Sequence, residues 1–545
     1  MATHMQYQIG VRVASIMILL FVSAQAAPPA CDRWGPRVDC GYMGMSQAEC
    51  EGKGCCWAPA QFDGAPHVDL PWCFTPNAGP SEYRAARVKE ATGSVHADLE
   101  LIQGTQPELG PDIQALRLEL TAPGQGILRV RLTDPHSPRW EVPARLFKSP
   151  LLSGKGANGT PLEAVSGTGT VVTGSGSSKQ RVWQAGDVQV ELKHDPFSLE
   201  VARAAPGELG GAAGRGVILF NTTGTRLAYK DQYLELSTWL SPSASLYGAG
   251  ERASKTLHLE RNGMPRAIWS HDLGPTFLEQ NMYGSHPAVL ALENDGSAWG
   301  MLLLSSNALD IVPTQDKLSW RVTGGVLDMF ILTGPTPLNV MDQLTAVVGR
   351  PAMMPYWSLG WHQCKYGYRS VWEVQQVVAN YSAAGLPLEA IWTDIDHMDG
   401  WRDFTFHPEH YPLPEMQRFV ADLHSRGQRW VPIVDPGIKV DPGYAPYDEG
   451  IKEDVFMRGV DGKPYLGWVW PGACHFPDFF LPRAQRFFTR QLANHRQMVP
   501  WDGIWIDMDE VSNFCTGDVC ELRSAAAAAP AGLASGSELR DDPPW

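Results

Sequence analysis

Three apolar runs in the last third of the chain each end in an aspartate: LEAIWTDID at 388–396, RWVPIVD at 429–435 and DGIWIDMDE at 502–510. Between them the pattern turns helical. Ser370 and Glu373 stand at capping-box spacing before a helix that would bury Val374, Val377, Val378 and Tyr381 and stop at Gly385. Met416, Phe419, Val420 and Leu423 recur at i, i+3, i+4 and i+7, closed by Gly427. A further helix is expected around 483–497, and WSLGWHQ at 357–363 reads as a strand. Strand–helix alternation of this kind builds a parallel sheet. In a (β/α)8 barrel the catalytic groups sit at the C-terminal ends of the strands, where Asp394, Asp435 and Asp507 fall. A doubly wound sheet would also place its ligand at the strand ends. Only four strands are expected where a barrel needs eight. Residues 351–545 therefore read either as an open sheet or as the N-terminal half of a barrel, an incomplete (β/α)8 TIM barrel.

The chain of 545 residues is too long for one domain, and three or four are expected. Residues 85–350 alternate with period two. ILRVRL at 127–132 puts Leu128, Val130 and Leu132 on one face and Arg129 and Arg131 on the other. Asp195-Pro196 and Asn294-Asp295-Gly296 mark turns between strands. Many short strands with turn residues suggest a β-sandwich. Ahead of it, Cys31, Cys40, Cys50, Cys55, Cys56 and Cys73 crowd a segment too short to build much core, so three disulfides would supply its stability. Six cysteines allow 15 pairings and spacing does not choose among them. A zinc site is disfavoured for want of paired ligand spacings, and no metal or other cofactor is expected.

The first 26 residues have the order of a secretory signal peptide: Arg12, an apolar run from Val13 to Val22, then Ala24-Gln25-Ala26. That run is too short to span a bilayer comfortably, and no later run of about 18 apolar residues follows, so no membrane span is expected. Entry to the secretory pathway agrees with the cysteines and with glycosylation sequons at Asn158, Asn221 and Asn380. The destination would be the outside of the cell, a lysosome or a vacuole. A net charge of −15 argues against a nucleic-acid partner. Oligomeric state is not legible.

WIDMDEVSNF, from Trp505 to Phe514, admits three chemistries. One is glycoside hydrolysis with an acid as nucleophile. Strand alternation would put Trp505, Asp507 and Asp509 on one face and Ile504, Ile506 and Met508 on the other, setting an indole beside a carboxylate. Another is phosphoryl transfer, because an apolar strand followed by D-x-D-x-V resembles the first motif of haloacid dehalogenase-type phosphatases. The last is structural: strand-end acids that form salt bridges or cap a helix.

Two resemblances narrow this choice. CDRWGPRVDCGYMGMSQAECEGKGCCWAP…PWCF resembles a trefoil (P-type) domain over 31–76, which implies bridges Cys31–Cys56, Cys40–Cys55 and Cys50–Cys73. YGAGER (247–252), NMYGSHP (281–287), MPYWSLGWHQCKYGY (354–368), IWTDIDHMDGWRDFTF (391–406), PIVDPGI (432–438), VWPGACHFPDF (469–479) and DGIWIDMDEVSNF (502–514) resemble glycoside hydrolase family 31, the α-glucosidases. The resemblance implies a galactose mutarotase-like sandwich over 85–350 and a catalytic barrel from 351. It implies a retaining α-glucosidase of carbohydrate metabolism, removing terminal non-reducing α-linked glucose from maltose-type oligosaccharides. Asp507 would be the nucleophile. Asp394 would hold sugar hydroxyls. Trp470, Trp505, Ile433, Met508 and Tyr366 would line the glycone pocket, and Asp272 would reach over it from the sandwich. Cys515 and Cys520 would pair, leaving Cys364 and Cys474 without assigned partners.

The chain departs from the family pattern twice. Asp509 stands where relatives carry Asn, adding a charge that should raise the nucleophile's pKa. The family's acid/base lies on later barrel strands and is not in this chain. The expectation is therefore of a catalytic type truncated within its barrel and not competent alone; the alternative is a secreted carbohydrate-binding protein without catalysis.

Overall fold

The structure is a computed structural model that describes residues 45–515 together with Cys31 and Cys40, apart from residues 60, 63–64, 67–71, 75–81, 92, 105–108, 125, 144–145, 147–171, 174–178, 205–214, 271–278, 460 and 510–511. The expected signal peptide, Asn158, Asp272 and Cys520 lie outside the described residues. The chain divides into two compact units, residues 1–79 and 80–545.

In the first unit a helix at Gln47–Gly52 is started by a reciprocal capping box between Ser46 and Glu49. Strands Cys56–Trp57 and Cys73–Phe74 pair antiparallel. Buried Met45, Cys50 and Cys73 make a minimal core, flanked by Cys40, Cys55 and Trp57. Three disulfides compensate for it, Cys31–Cys56, Cys40–Cys55 and Cys50–Cys73, the trefoil set.

The second unit begins with β-sheets. An eight-stranded antiparallel sheet runs from Ser245–Gly248 to Glu82–Ala91, with Leu327–Leu332 and Ile127–Thr133 adjacent at its centre. Leu128, Val130 and Leu132 join one core with Trp183, Val190 and Leu192 of one five-stranded sheet and Leu234 and Trp320 of another. On the opposite face Ile127, Leu302 and Phe330 pack against Val340 and Val347 of the helix Pro337–Val348. The outward arginines have their own tasks: Arg129 donates to both oxygens of Asp328 at 2.7 and 2.6 Å.

After residue 350 four strands form a parallel sheet in chain order: β1 (His362–Gln363), β2 (Ala390–Thr393), β3 (Arg429–Val434) and β4 (Trp505–Ile506). Helix α1 (Val371–Ala383) buries Val371, Val374 and Val378, and α2 (Leu413–Ser425) buries Met416, Phe419, Val420 and Leu423. Both faces meet Ile391 and Trp430 of the sheet. Helix α3 (Ala445–Lys452) and the longer α4 (Pro482–Met498) precede β4.

Several local expectations are corrected. Residues Tyr356–Leu359 form a 3-10 turn, leaving only His362–Gln363 extended; Pro355 starts the turn and Ser358 donates its hydroxyl to the Pro355 carbonyl. The capping box of α1 is half made. Ser370 accepts from Glu373 N–H, but the Glu373 carboxylate takes the N–H of Arg369 instead. Val377 and Tyr381 are only partly buried. The alternation expected through Asp509 ends early. Met508 has φ 63°, which breaks an extended strand, so Met508 is buried while Ile506 is 70% exposed.

Candidate active site

Asp394, Asp435 and Asp507 follow the last residues of β2, β3 and β4, so the parallel ladder brings all three to one edge of the sheet. Pairing of Ile433 with Trp505 sets the register of β3 and β4, and Asp507 N–H extends toward the Val434 carbonyl at 3.5 Å. Trp505 packs on Ile433, Ile395 and Met398.

The carboxylates differ in their support. Asp394 Oδ1 accepts the Ile395 N–H at 2.7 Å where a short helical turn begins. Burial holds its carboxyl above the usual range, and the charges of Asp396 and Asp507 add to that. Asp396, also raised mainly by burial, accepts the Gly367 N–H at 2.8 Å and so ties the loop after β1 to the end of β2. Asp435 is 3% exposed and its Oδ1 has no hydrogen-bond partner. Its carboxyl is pushed far up by burial, then by Asp403, Asp507, Asp394 and Asp509. Asp403, equally buried, accepts the Asp435 N–H at 2.9 Å and is raised by burial and by Asp509. Two buried carboxyls side by side cannot both ionise cheaply, so this pair favours its protonated form near neutrality.

An aromatic row crosses the sheet from its N-terminal edge, where Trp357 lies against Arg429 and Gly503, to Trp392 and Trp505, two residues before Asp394 and Asp507. Trp357 stacks on His362 with ring centres 5.8 Å apart, Trp392 donates its indole N–H to His362 Nδ1 at 3.0 Å, and Trp392 lies 5.6 Å from Trp505. Flat rings next to carboxylates suit a pyranose, whose faces are apolar and whose rim is hydroxylated.

The other candidate residues are placed as follows. Trp470 sits at the turn of a hairpin, Gly467–Val469 with Gly472–His475, half exposed and edge-on to Phe514 at 4.7 Å. That hairpin is bound to the chain after β4: Trp468 N–H donates to Asn513 Oδ1 at 2.8 Å and Phe514 N–H to the Trp468 carbonyl at 2.9 Å. Met508 packs under the hairpin on Val469, Cys474 and Phe476. Tyr366 is 61% exposed in the loop after β1. Asp272 lies outside the described residues. Cys515 is disulfide-bonded, and Cys364 and Cys474 are free, the first exposed and the second buried. Asp403 was not marked by the sequence reading, because it lies in the loop between β2 and α2 with no periodic signal. Among the described residues one set of three side chains lies at metal-binding spacing, Cys40, Cys55 and Cys73, and those sulfurs are in disulfides. No helix among the described residues is long and apolar enough to cross a membrane.

Comparison with known proteins gives this arrangement a family. Residues 351–539 match the glycosyl hydrolases family 31 TIM-barrel domain, 117–310 the family 31 N-terminal galactose mutarotase-like domain, and 31–76 the trefoil (P-type) domain. A "Probable alpha-glucosidase" of Oryza sativa subsp. japonica is 41% identical over 442 residues, covering 79% of this chain and 47% of its own length. Alpha-xylosidase 1 of Arabidopsis thaliana is 38% identical, covering 82% and 47%, and lysosomal alpha-glucosidase of Rattus norvegicus is 38% identical, covering 90% and 48%. The chain thus spans about half the length of the curated relatives it matches. The fold is shared with the glucosidase II alpha subunit, at a TM-score of 0.65 and 20% identity, over 80% of this chain and 52% of that one. A multidomain chain of trefoil, β-sheet domain and barrel strands with strand-end acids, it belongs to glycoside hydrolase family 31.

Proposed function

We propose that the edge formed by Asp394, Asp435 and Asp507 is the glycone site of a retaining α-glucosidase acting on terminal α-linked glucose of oligosaccharides, in a protein of the secretory pathway or lysosome. The observation that carries this is that Asp394 and Asp507 follow the ends of β2 and β4, on either side of β3, near enough for the charge of Asp507 to raise the Asp394 carboxyl. In this reading Asp507 attacks the anomeric carbon as the glycosidic C1–O bond breaks, the aglycone oxygen leaving with the electron pair and taking a proton from a separate general acid, while Asp394 holds ring hydroxyls. The covalent glucosyl enzyme is then released by water with retention. Asp394 stays positioned through its hold on the Ile395 N–H. Trp470 and Tyr366, exposed at the rim, contribute ring faces to the sugar.

A glucosyl fluoride bearing a second fluorine tests the assignment, because its leaving group needs little protonation. Peptide mapping should find the adduct on Asp507 and none in Asp507→Asn. An adduct on Asp394 or Asp435 would overturn the reading. The same rim aromatics also support a second reading, a carbohydrate-binding protein without turnover. Calorimetric binding of maltose with intact Asp507 and no labelling would favour it.

A further inference from the structure

The acid cluster does not use every sugar-compatible feature of the chain. On the β-sheet domain a cleft of about 540 Å³ is lined by Ile218, Asn221, Trp239, Ser241, Glu293 and Asp295, among others. Its apolar floor is open: Trp239 is 37% exposed and Ile218 39% exposed. The indole is fixed by donating to the Thr223 carbonyl at 2.8 Å, and the Lys317 ammonium lies 5.4 Å from its ring. The polar wall is fixed as well. Glu293 accepts from the buried Trp299 indole at 3.0 Å and from the Ser243 hydroxyl at 3.2 Å, and Ser241 and Ser243 share a hydrogen bond at 2.8 Å. An exposed indole framed by hydroxyls, an amide and carboxylates is the surface that a pyranose recognises.

Asn221 is itself part of that wall and begins the acceptor triplet Asn221-Thr222-Thr223. It ends the strand Arg215–Asn221, its Oδ1 accepts the Thr223 N–H at 2.8 Å, and its Nδ2 donates to Glu200 Oε2 at 3.0 Å. We propose that Asn221 carries an N-linked glycan whose first N-acetylglucosamine lies in this cleft against Trp239. The donor would be an oligosaccharide on a lipid pyrophosphate. The Asn221 Nδ2–C1 bond forms as the C1–O bond to the pyrophosphate breaks. One amide proton leaves, and the lipid pyrophosphate departs with the electron pair. The amide keeps one N–H, enough to retain the bond to Glu200. The seated sugar covers the exposed indole and Ile218, an apolar patch that water otherwise meets. Asn380, the other described sequon, lies on the surface of α1 bonded to Gln376 at 2.9 Å and provides an internal control.

The test is expression of the full chain in a secretory eukaryotic cell. Glycopeptide mass spectrometry should find Asn221 occupied, and Asn221→Gln should lose one glycan. In Trp239→Ala, release of the Asn221 glycan by an amidase under native conditions should quicken at least threefold, with release at Asn380, if occupied, unchanged. On the unsubstituted chain, which keeps the readout if that variant misfolds, hydroxyl-radical oxidation of Trp239 should rise at least twofold after deglycosylation. An unoccupied Asn221, or Trp239 oxidation indifferent to deglycosylation, would overturn the proposal. Protection of Trp239 by free N,N′-diacetylchitobiose or maltose in the glycosylated chain would assign the cleft to a free sugar and equally overturn it.

Discussion

Asp403 accepts the backbone N–H of Asp435 at 2.9 Å, while Asp435 Oδ1 is buried without a partner. The two carboxyls therefore have unequal duties. Asp403→Ala removes the acceptor of a buried N–H and should cost about 1–3 kcal/mol of stability. Asp435→Asn exchanges an already neutral carboxyl for a neutral amide and should cost less than about 1 kcal/mol at pH 7. Urea denaturation of both variants checks this. Equal losses would mean that Asp435 is ionised and paired in the native state.

The parts of the site that were legible share a cause: they rest on regular periodicity. Met416, Phe419, Val420 and Leu423 announced α2 because a helix repeats its buried face, and Leu128, Val130 and Leu132 announced a strand for the same reason. The strand-end positions of Asp394, Asp435 and Asp507 followed. What stayed hidden depends on single residues against the pattern. Pro355 and Ser358 turn an apparent strand into a 3-10 turn. Met508, at φ 63°, breaks the strand, and β4 ends at Ile506, three residues before the alternation in the sequence does. Asp403 reaches Asp435 across 32 residues of chain, a contact only tertiary structure makes.

Arg129 and Asp328 join the two central strands of the eight-stranded sheet through two hydrogen bonds, with the guanidinium also 5.2 Å from the Phe330 ring. Asp328 is buried, so Asp328→Ala would strand a charge and should cost about 3–5 kcal/mol. The paired change Arg129→Met with Asp328→Leu removes both charges and should recover most of that loss. A double-mutant cycle by denaturant unfolding measures the coupling; a double variant no better than Asp328→Ala would refute it.

Two buried histidines make the barrel unit acid-sensitive. Burial lowers His397 to about 4 and His495 to about 3, against 6.5 for the free side chain. Below pH 6.5 the unfolded chain takes up protons that the folded chain refuses, so their contribution to stability falls as pH falls through that window. The slope approaches about 1.4 kcal/mol per pH unit for each group. Asp403 and Asp435, raised to about 8 and about 9, act in the opposite sense, losing stability as pH rises from the carboxylate range toward those values. His495 stacks on Phe406 at 5.0 Å and neither ring nitrogen has a hydrogen-bond partner. His495→Phe should therefore gain about 1 kcal/mol or more at pH 5 relative to pH 7.5. A variant whose stability difference from the parent is the same at both pH values would remove His495 as the source.

Asp509 follows Asp507 by two residues, and its field reaches both Asp403 and Asp435. In Asp509→Asn that repulsion vanishes, so the pair can ionise at lower pH and the cost of burying it near neutrality shrinks. Stability should rise by several tenths to about 1 kcal/mol at pH 8 and by less at pH 5, where the pair is protonated in either chain. The sign follows from the direction of the shifts: a raised carboxyl destabilises the fold only above its unfolded pKa. Urea midpoints of parent and variant at the two pH values measure the difference. A gain equal at both would trace to packing of the side chain and not to its charge, and a loss confined to pH 8 would show that the Asp509 carboxylate is held by a cation or donor whose attraction outweighs the repulsion. If Asp507 is the nucleophile, as proposed, the same exchange should leave turnover undiminished, since it removes a negative charge two residues from a carboxylate that would act as an anion.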